Sequence, residues 1–185
     1  IQKEGPETVA AFIAEPLMGV GGVLLPPRTY FPKIQAVLAK HDVLLIDDEV
    51  ITGFGRTGEL WGAQAFGMKP QTLSTAKALS SAYLPISAVL VPEFLYEPMV
   101  EASGQVGLFG HGFTYSGHPV AAAVALRALE IYEERGLYEH VRRLAPAFQS
   151  RLAALAAHPL VGDTRGIGLL GACELVQNKA TKAAF

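Results

Sequence analysis

The chain has 185 residues, half of them apolar, and a formal net charge of −2. That length allows one domain or slightly more with a real hydrophobic core, and the small net charge predicts no nucleic-acid partner and no membrane-surface partner. No apolar run is long enough to span a bilayer. A single cysteine, Cys173, excludes an intrachain disulfide and favours a reducing compartment, so we expect a cytoplasmic protein.

The first half of the chain has the pattern of an α/β sheet. Short apolar runs predict strands, the first of which should be buried. Apolar residues at helical spacing predict a helix between the first two strands, with Tyr30, Ile34, Val37 and Leu38 on one face. The second strand is apolar on both faces, which is typical of the middle of a parallel sheet covered by helices. Residues 60–68 suggest a turn or short helix. The predicted strands cover 8–14, 43–47, 72–74 and 86–91, and the predicted helix covers 29–40.

The second half predicts two helices and a hairpin. Pro119 suits the first turn of a long helix that Gly136 would end, and a second helical pattern covers 137–155. Pro146 lies inside that second pattern, so we expect a bent helix or two pieces. Residues 161–176 suggest two strands around a glycine turn. The predicted apolar side of the helix that begins at Pro119 consists of Val120, Val124, Leu126, Leu129 and Ile131.

Charged residues follow two of the predicted strands. Asp48 comes at the end of the second strand and Lys77 follows the third. Ligands of open α/β sheets bind at such strand ends. A carboxylate and an amine there can meet over pyridoxal phosphate (PLP), whose aldehyde forms a Schiff base with the amine and whose ring nitrogen stays protonated beside the carboxylate. We interpret Asp47 as structural, at a solvated strand end or in a capping pair, and Glu49 as a structural salt-bridge partner.

Two other patterns have weaker functional interpretations. The glycine-rich turn Gly53–Gly58 lacks the ending of a P-loop and the spacing of a dinucleotide fingerprint, so we interpret it as a tight turn with Arg56 in a structural ion pair. His111 and His118 are too far apart, and too lacking in nearby carboxylates, for a local zinc motif. No metal site is predicted.

Three motifs together resemble the class III aminotransferases, PLP enzymes of fold type I. They are Asp48–Gly58, Ser74–Lys77 and His111–Pro119, in order along nearly the whole chain. The resemblance implies the central part of the large PLP-binding domain over 1–135, with a mostly parallel sheet and helices on both faces. It also implies a linking helix and the start of a smaller α+β C-terminal domain over 136–185.

The resemblance also implies roles for individual residues. Lys77 is similar to the lysine that forms the Schiff base and shuttles the proton, and Asp48 to the partner of the pyridinium nitrogen. Val50 corresponds to the side chain packed on the ring, and Glu15 to part of the polar network near it. Thr114, with Phe113 beside it, corresponds to a ligand for the cofactor phosphate of the neighbouring subunit, which implies a homodimer with shared active sites.

The activity implied is transfer of an amino group from an amine or ω-amino acid to an α-keto acid such as pyruvate, by a ping-pong Schiff-base mechanism. A class III aminomutase or decarboxylase is an alternative, as is a truncated, non-catalytic fragment. Some family members have glutamine at the position of Ile51, and the ornithine and γ-aminobutyrate branches have glutamate at that of Val20. Both differences resemble the amine–pyruvate (omega) transaminases and speak against ornithine or γ-aminobutyrate as the substrate.

The ends of the chain suggest an internal segment. The first residue is Ile1, and the last, Phe185, lies in an Ala/Lys/Thr stretch. By the resemblance, the family's glycine/serine phosphate loop would precede Ile1 and its substrate-carboxylate arginine would follow Phe185. We therefore expect the chain to be less than half of a family member.

Overall fold

Two separate β-sheets organise the chain. The computed structural model describes residues 1–185. A four-stranded sheet has the order β1-β2-β3-β4, and β5 and β6 form a two-stranded antiparallel sheet. The strands are β1 (Ala11–Ala14), β2 (Leu44–Asp48), β3 (Thr72–Thr75), β4 (Ala88–Leu90), β5 (Val161–Ile167) and β6 (Leu170–Leu175). The helices are α1 (Tyr30–Lys40), α2 (Gly62–Phe66), α3 (Glu93–Val106), α4 (Pro119–Glu134) and α5 (Leu137–Ala154).

The larger sheet is mostly parallel, as predicted. β1, β2 and β3 run in the same direction, with Ala14 opposite Asp47 and Asp48 opposite Ser74. β4 is antiparallel to β3. The carboxyl ends of the three parallel strands therefore lie at one edge of the sheet, where ligands of α/β proteins bind.

The core lies where α1 and α2 cover β2. Apart from β1, the predicted strands and helices are confirmed within a residue or two, but the buried face of α1 differs from the expected one. Phe31 and Leu38 are buried, whereas Val37 is half exposed. The spacing i, i+3, i+7 of Phe31, Ile34 and Leu38 presents this stripe to β2. The buried cluster consists of Phe31, Leu38, Val43, Leu45, Ala63 and Met68.

β1 is shorter and more exposed than the predicted strand over 8–14. The stretch Pro6–Thr8 forms a 3₁₀ turn, and the strand begins only at Ala11. Within this chain β1 is an edge strand that pairs with β2 alone, and Ile13 is 58% exposed. The expectation that β1 is buried is therefore wrong for this chain.

The sequence did not predict α3, and it predicted the wrong face of α4. Pro98 and Gly104 interrupt the helical pattern of α3, which buries no side chain. In α4 the buried residues are Ala121, Ala125, Ala128 and Tyr132, while the predicted Leu126 is 61% exposed. Small side chains let α4 approach the turn after β3 closely, so alanines rather than large apolar residues mark the contact face.

α5 is one continuous helix that contains Pro146, so the expected alternative of two separate pieces is wrong. Packing supports the helix after the proline: Gln149 Nε2 donates to the carbonyls of Gly168 and Leu170, at 2.9 Å each. The β5–β6 hairpin is confirmed, and Gly168 in its turn has the positive φ expected of glycine. None of the helices combines the length and apolar character needed to cross a membrane.

Candidate active site

Three candidate site residues lie at the same sheet edge. Glu15 directly follows β1, Asp48 is the last residue of β2, and Lys77 comes two residues after β3. The parallel register places these strand ends side by side. The structure thus brings together an amine and two carboxylates that are far apart in the sequence.

The Asp48 carboxylate is oriented by its own turn. Its Oδ1 accepts a hydrogen bond from the backbone N–H of Val50 at 3.0 Å. The other oxygen, Oδ2, accepts no hydrogen bond from the chain, and the side chain is half-buried. One oxygen is therefore fixed while the second is free to accept from a ligand N–H group.

Lys77 begins a 3₁₀ turn that runs to Ser80, and its φ is 42°. This left-handed conformation is costly for a residue with a Cβ, and such strain clusters at functional sites. Contacts with α4 impose it: Tyr132 Oη donates to the carbonyl of Ala78 at 2.6 Å, and the Ser81 hydroxyl lies 2.5 Å from Tyr132 Oη. The Lys77 side chain itself is exposed and makes no hydrogen bond or ion pair in the chain.

A cavity of about 420 Å³ borders Lys77, Phe54, Arg56 and Tyr132. The predicted ion pair of Arg56 is wrong, because its exposed guanidinium has no carboxylate partner in the chain. Backbone hydrogen bonds hold the surrounding turn instead. The Phe54 N–H donates to the carbonyl of Leu60 at 2.7 Å, and the Leu169 N–H donates to that of Arg56 at 3.0 Å. Two cationic side chains therefore border one cavity.

Glu49 lies on the opposite face of β2 from Asp48 and is only 1% exposed. The expected salt bridge is wrong. Its carboxylate accepts hydrogen bonds from Thr52 Oγ1 at 2.6 Å, Gly62 N at 2.9 Å and Ala63 N at 2.8 Å. A Cβ on Gly62 would come within 2.5 Å of the Thr52 Cβ, so a glycine permits this close approach. Glu49 is structural, as expected, through a hydroxyl and two backbone amides rather than a cation.

Asp47 is fully buried, so the interpretation as a solvated strand end is wrong. Neither carboxyl oxygen has a hydrogen-bond donor. Burial first, then the neighbouring carboxylates of Glu49 and Asp48, raise the pKa of Asp47 from its ordinary 3.8 to about 9. The sequence contains a signal for this burial. Asp47 lies two residues after Leu45 on a central strand, so its side chain points to the same buried face as that of Leu45.

The remaining predicted residues differ in their surroundings. Val50 is half-buried immediately after Asp48, and Glu15 Oε2 accepts a hydrogen bond from the Gly19 N–H at 3.0 Å, which orders the following loop. Thr114 and Phe113 lie in the exposed loop between α3 and α4, and Phe113 is 80% exposed. Within one chain, neither has a hydrogen bond to the Asp48 and Lys77 edge.

These side chains suit PLP by their chemistry. Asp48 offers a free, oriented carboxylate oxygen for a pyridinium N–H, and Lys77 offers an unpaired amine for an aldehyde. Both come from neighbouring strand ends on one sheet edge. A buried, ion-paired lysine or a carboxylate with both oxygens occupied would not have this capacity.

Comparisons with known proteins agree with this chemistry. The family model for class III aminotransferases matches residues 1–185. Probable γ-aminobutyrate transaminase 3, mitochondrial, from Oryza sativa subsp. indica is 56% identical over the whole chain, which spans 36% of that protein. γ-Aminobutyrate transaminase 3, chloroplastic, from Solanum lycopersicum is 54% identical over the whole chain and 36% of its own length.

A solved structure gives the same result. The omega transaminase from Pseudomonas jessenii in complex with PMP superposes with a TM-score of 0.95 at 52% identity, covering 100% of this chain and 41% of that one. The chain thus spans well under half the length of the relatives it matches, as the sequence suggested. With the family model matching from the first residue to the last, the chain belongs to the class III aminotransferases, which are PLP-dependent enzymes.

Proposed function

We propose that the protein carrying this chain is a transaminase that moves an amino group from an amine or ω-amino acid to an α-keto acid such as pyruvate. One observation supports this most directly. The carboxylate of Asp48 and the amine of Lys77 come from neighbouring parallel strand ends, and each has a hydrogen-bonding capacity that the chain leaves unused. An acid and an amine in this relation serve PLP chemistry.

In this proposal each residue has a separate task. Asp48 Oδ2 would accept the hydrogen bond of the ring nitrogen, and its negative charge would favour the protonated ring. Lys77 Nζ would hold the cofactor aldehyde and, once free again, would accept and return a proton at the reacting substrate carbon. Val50 would pack against the ring, and Glu15 orders the loop beside it. Bound PLP supplies the electron sink for the substrate carbanion.

The donor is the open part of the proposal. Val20 and Ile51 resemble the amine–pyruvate transaminases, whereas several similar proteins are named as γ-aminobutyrate transaminases. γ-Aminobutyrate therefore belongs among the donors to test, beside simple amines, with pyruvate as acceptor. Alanine formation identifies transamination, whereas an isomerised amine or released CO₂ would support the aminomutase or decarboxylase alternative.

We further propose a homodimer in which Thr114, with Phe113 beside it, serves the phosphate of the neighbouring subunit. The exposure of this loop supports the proposal. We also propose that the chain divides into a part of the large domain over 1–135 and the start of the small C-terminal domain over 136–185. The separate β5–β6 sheet supports this division. The cytoplasmic location stays a prediction, since some relatives are named as mitochondrial or chloroplastic.

A lysine replacement tests the central proposal. In the complete natural protein, we expect Lys77→Ala to lower kcat by about 10²- to 10⁴-fold or more, because it removes the proton-transfer group. The exposed Lys69→Ala is the matched control and should retain full activity. Borohydride reduction followed by peptide mapping should fix PLP on Lys77. A label on another lysine, or no alanine from any donor, would contradict the proposal.

A further inference from the structure

We propose that Asp47 stays a neutral carboxylic acid at physiological pH and donates a hydrogen bond to Glu49, and that this bond positions Asp48. The positioning part rests on the proposed function, because it concerns the residue assigned to the cofactor nitrogen. The bound proton does not depend on that function. The two parts therefore have separate readouts.

The first argument is geometric. Asp47 and Glu49 are two residues apart on β2 and its extension, so their side chains lie on the same face of the sheet. They are 0% and 1% exposed. Neither oxygen of Asp47 meets a donor from the chain. Two buried charges side by side, one without any partner, would be a costly arrangement.

The second argument concerns the capacity of Glu49. Its Oε2 already accepts from Thr52 and Gly62, but Oε1 accepts only from Ala63. A carboxylate oxygen has room for a second donor. An Asp47 hydroxyl would fill this position, and the same proton would remove the charge from Asp47. One proton therefore satisfies both side chains.

The third argument is the absence of a cation that could stabilise an ionised Asp47. The ionisable groups that act on it are Glu49 and Asp48, both carboxylates. The residues opposite Asp47 on β1 and β3 are Ala14 and Leu73, and neither is charged. α2, which donates its first amides to Glu49, contains no ionisable side chain. Every charged influence on Asp47 favours its protonated form.

The consequence for the site follows from sequence order. Asp48 lies between Asp47 and Glu49 and points to the opposite face. A bond between the side chains on either side braces the backbone of Asp48. Because Glu49 is tied to Thr52 and α2, the brace extends to the turn that carries Val50. Asp47 is thus a positioning residue that does not contact the cofactor.

Detecting the proton tests the first part. In the complete natural protein, difference infrared spectra against Asp47→Asn should contain the band of a protonated carboxylic acid at neutral pH. Thr75→Val is the matched control, since it removes a buried, unpartnered hydroxyl from the adjacent strand and adds no titrating group; its spectrum should retain the band. A carboxylate signal for Asp47 at neutral pH would overturn the proposal, whether or not the protein transaminates.

The pH dependence of unfolding tests the same proton independently. The folded pKa of Asp47, about 9, lies above its ordinary value of 3.8, so between these values the folded state holds a proton that the unfolded state has lost. Stability from this group is complete below the lower pKa and is lost as pH rises to the upper one. The unfolding constant of the wild type should rise about tenfold more per pH unit than that of Asp47→Asn. Equal slopes would overturn the proposal.

Rescue tests the positioning role. Asp47→Asn keeps a donor for Glu49, whereas Asp47→Leu removes it. We expect Asn to retain kcat/KM near the neutral wild-type value and to lose the wild-type decline towards pH 9. We expect Leu to lower kcat/KM at every pH, with weaker PLP binding. Equal activity of the Leu and Asn variants would overturn the positioning role, and a protein with no transaminase activity but an intact infrared band would overturn only the proposed function.

Discussion

Lys77 combines a strained backbone with a side chain that the chain leaves unpaired. Its φ of 42° disfavours every residue except glycine, yet the position carries the amine of the candidate site. A glycine would relieve the strain and remove the chemistry. The hydrogen bonds around Ala78 and Ser81 therefore maintain a conformation that the lysine would not adopt in isolation.

On the other face of β2, the Thr52 hydroxyl donates a hydrogen bond to the buried carboxylate of Glu49. We expect Thr52→Val, which keeps the shape and removes the donor, to lower the free energy of unfolding by about 1–3 kcal/mol. Chemical denaturation of the complete protein measures the change. Thr29→Val is the control, because Thr29 is exposed and makes no capping bond, and its effect should stay within about 0.5 kcal/mol. Equal effects of the two variants would contradict the account of Glu49.

At the residue scale, position along a strand was predictable and partners were not. Asp48 and Lys77 could be placed at strand ends because apolar runs mark where strands stop. The donors to Glu49 include α2 amides more than ten residues away. The guanidinium of Arg56 is left without an ion-pair partner because backbone hydrogen bonds hold its turn. Neither relation has a local sequence signal, since both arise from tertiary contacts.

Among the secondary-structure elements, α4 connects the core to the lysine turn. Its alanine stripe permits close approach, and Tyr132 at the end of the stripe reaches Ala78 and Ser81. The helix itself was predictable from Pro119 and Gly136. Its buried face was not, because a hydrophobicity pattern favours large residues, whereas this contact requires small ones.

We expect Tyr132→Phe to affect catalysis although Tyr132 lies in a helix away from the strand ends. The change removes the side-chain donor to the Ala78 carbonyl and leaves the Ser81 hydroxyl without its partner, which should cost about 1–3 kcal/mol of stability. Loss of the lysine turn geometry should lower kcat by about 10- to 100-fold. Tyr96→Phe, at an exposed tyrosine of α3, should leave both quantities unchanged. Stability loss with wild-type kcat would show that the turn does not depend on this bond.

In the molecule as a whole, α5 and the C-terminal hairpin contact the loops beside the site. Arg165 Nε donates to the carbonyl of Gly22 at 2.8 Å, and Arg142 of α5 donates to that of Gly58 at 2.5 Å. A Cβ on Gly168 would meet the Arg56 carbonyl oxygen at 2.4 Å, so the hairpin turn packs directly on the glycine-rich turn. The hairpin was predictable from its glycines, but its docking was not, because the contacting residues are more than a hundred positions apart.

The loop between α3 and α4 exposes a run of apolar side chains, with Leu108 at 94%. An exposed apolar patch of this kind marks an association surface. Its members are Val106 at the end of α3 and, in the loop, Leu108, Phe109, Phe113 and Tyr115. Together with Thr114, which lies within this loop, the patch supports the proposed homodimer.

Complementation between two inactive variants tests the sharing of sites. If Thr114 serves the neighbour, a mixed dimer of Lys77→Ala and Thr114→Ala subunits contains one site with both residues intact. We expect each variant alone to be impaired, and a refolded equimolar mixture to regain about a quarter of the wild-type activity, since half of the dimers are mixed. A mixture of Lys77→Ala with Asp48→Asn is the control and should regain none, because both residues belong to the same chain's sheet edge. If neither mixture regained activity, Thr114 would belong to its own subunit's site, and the proposal of active sites shared between subunits would be wrong.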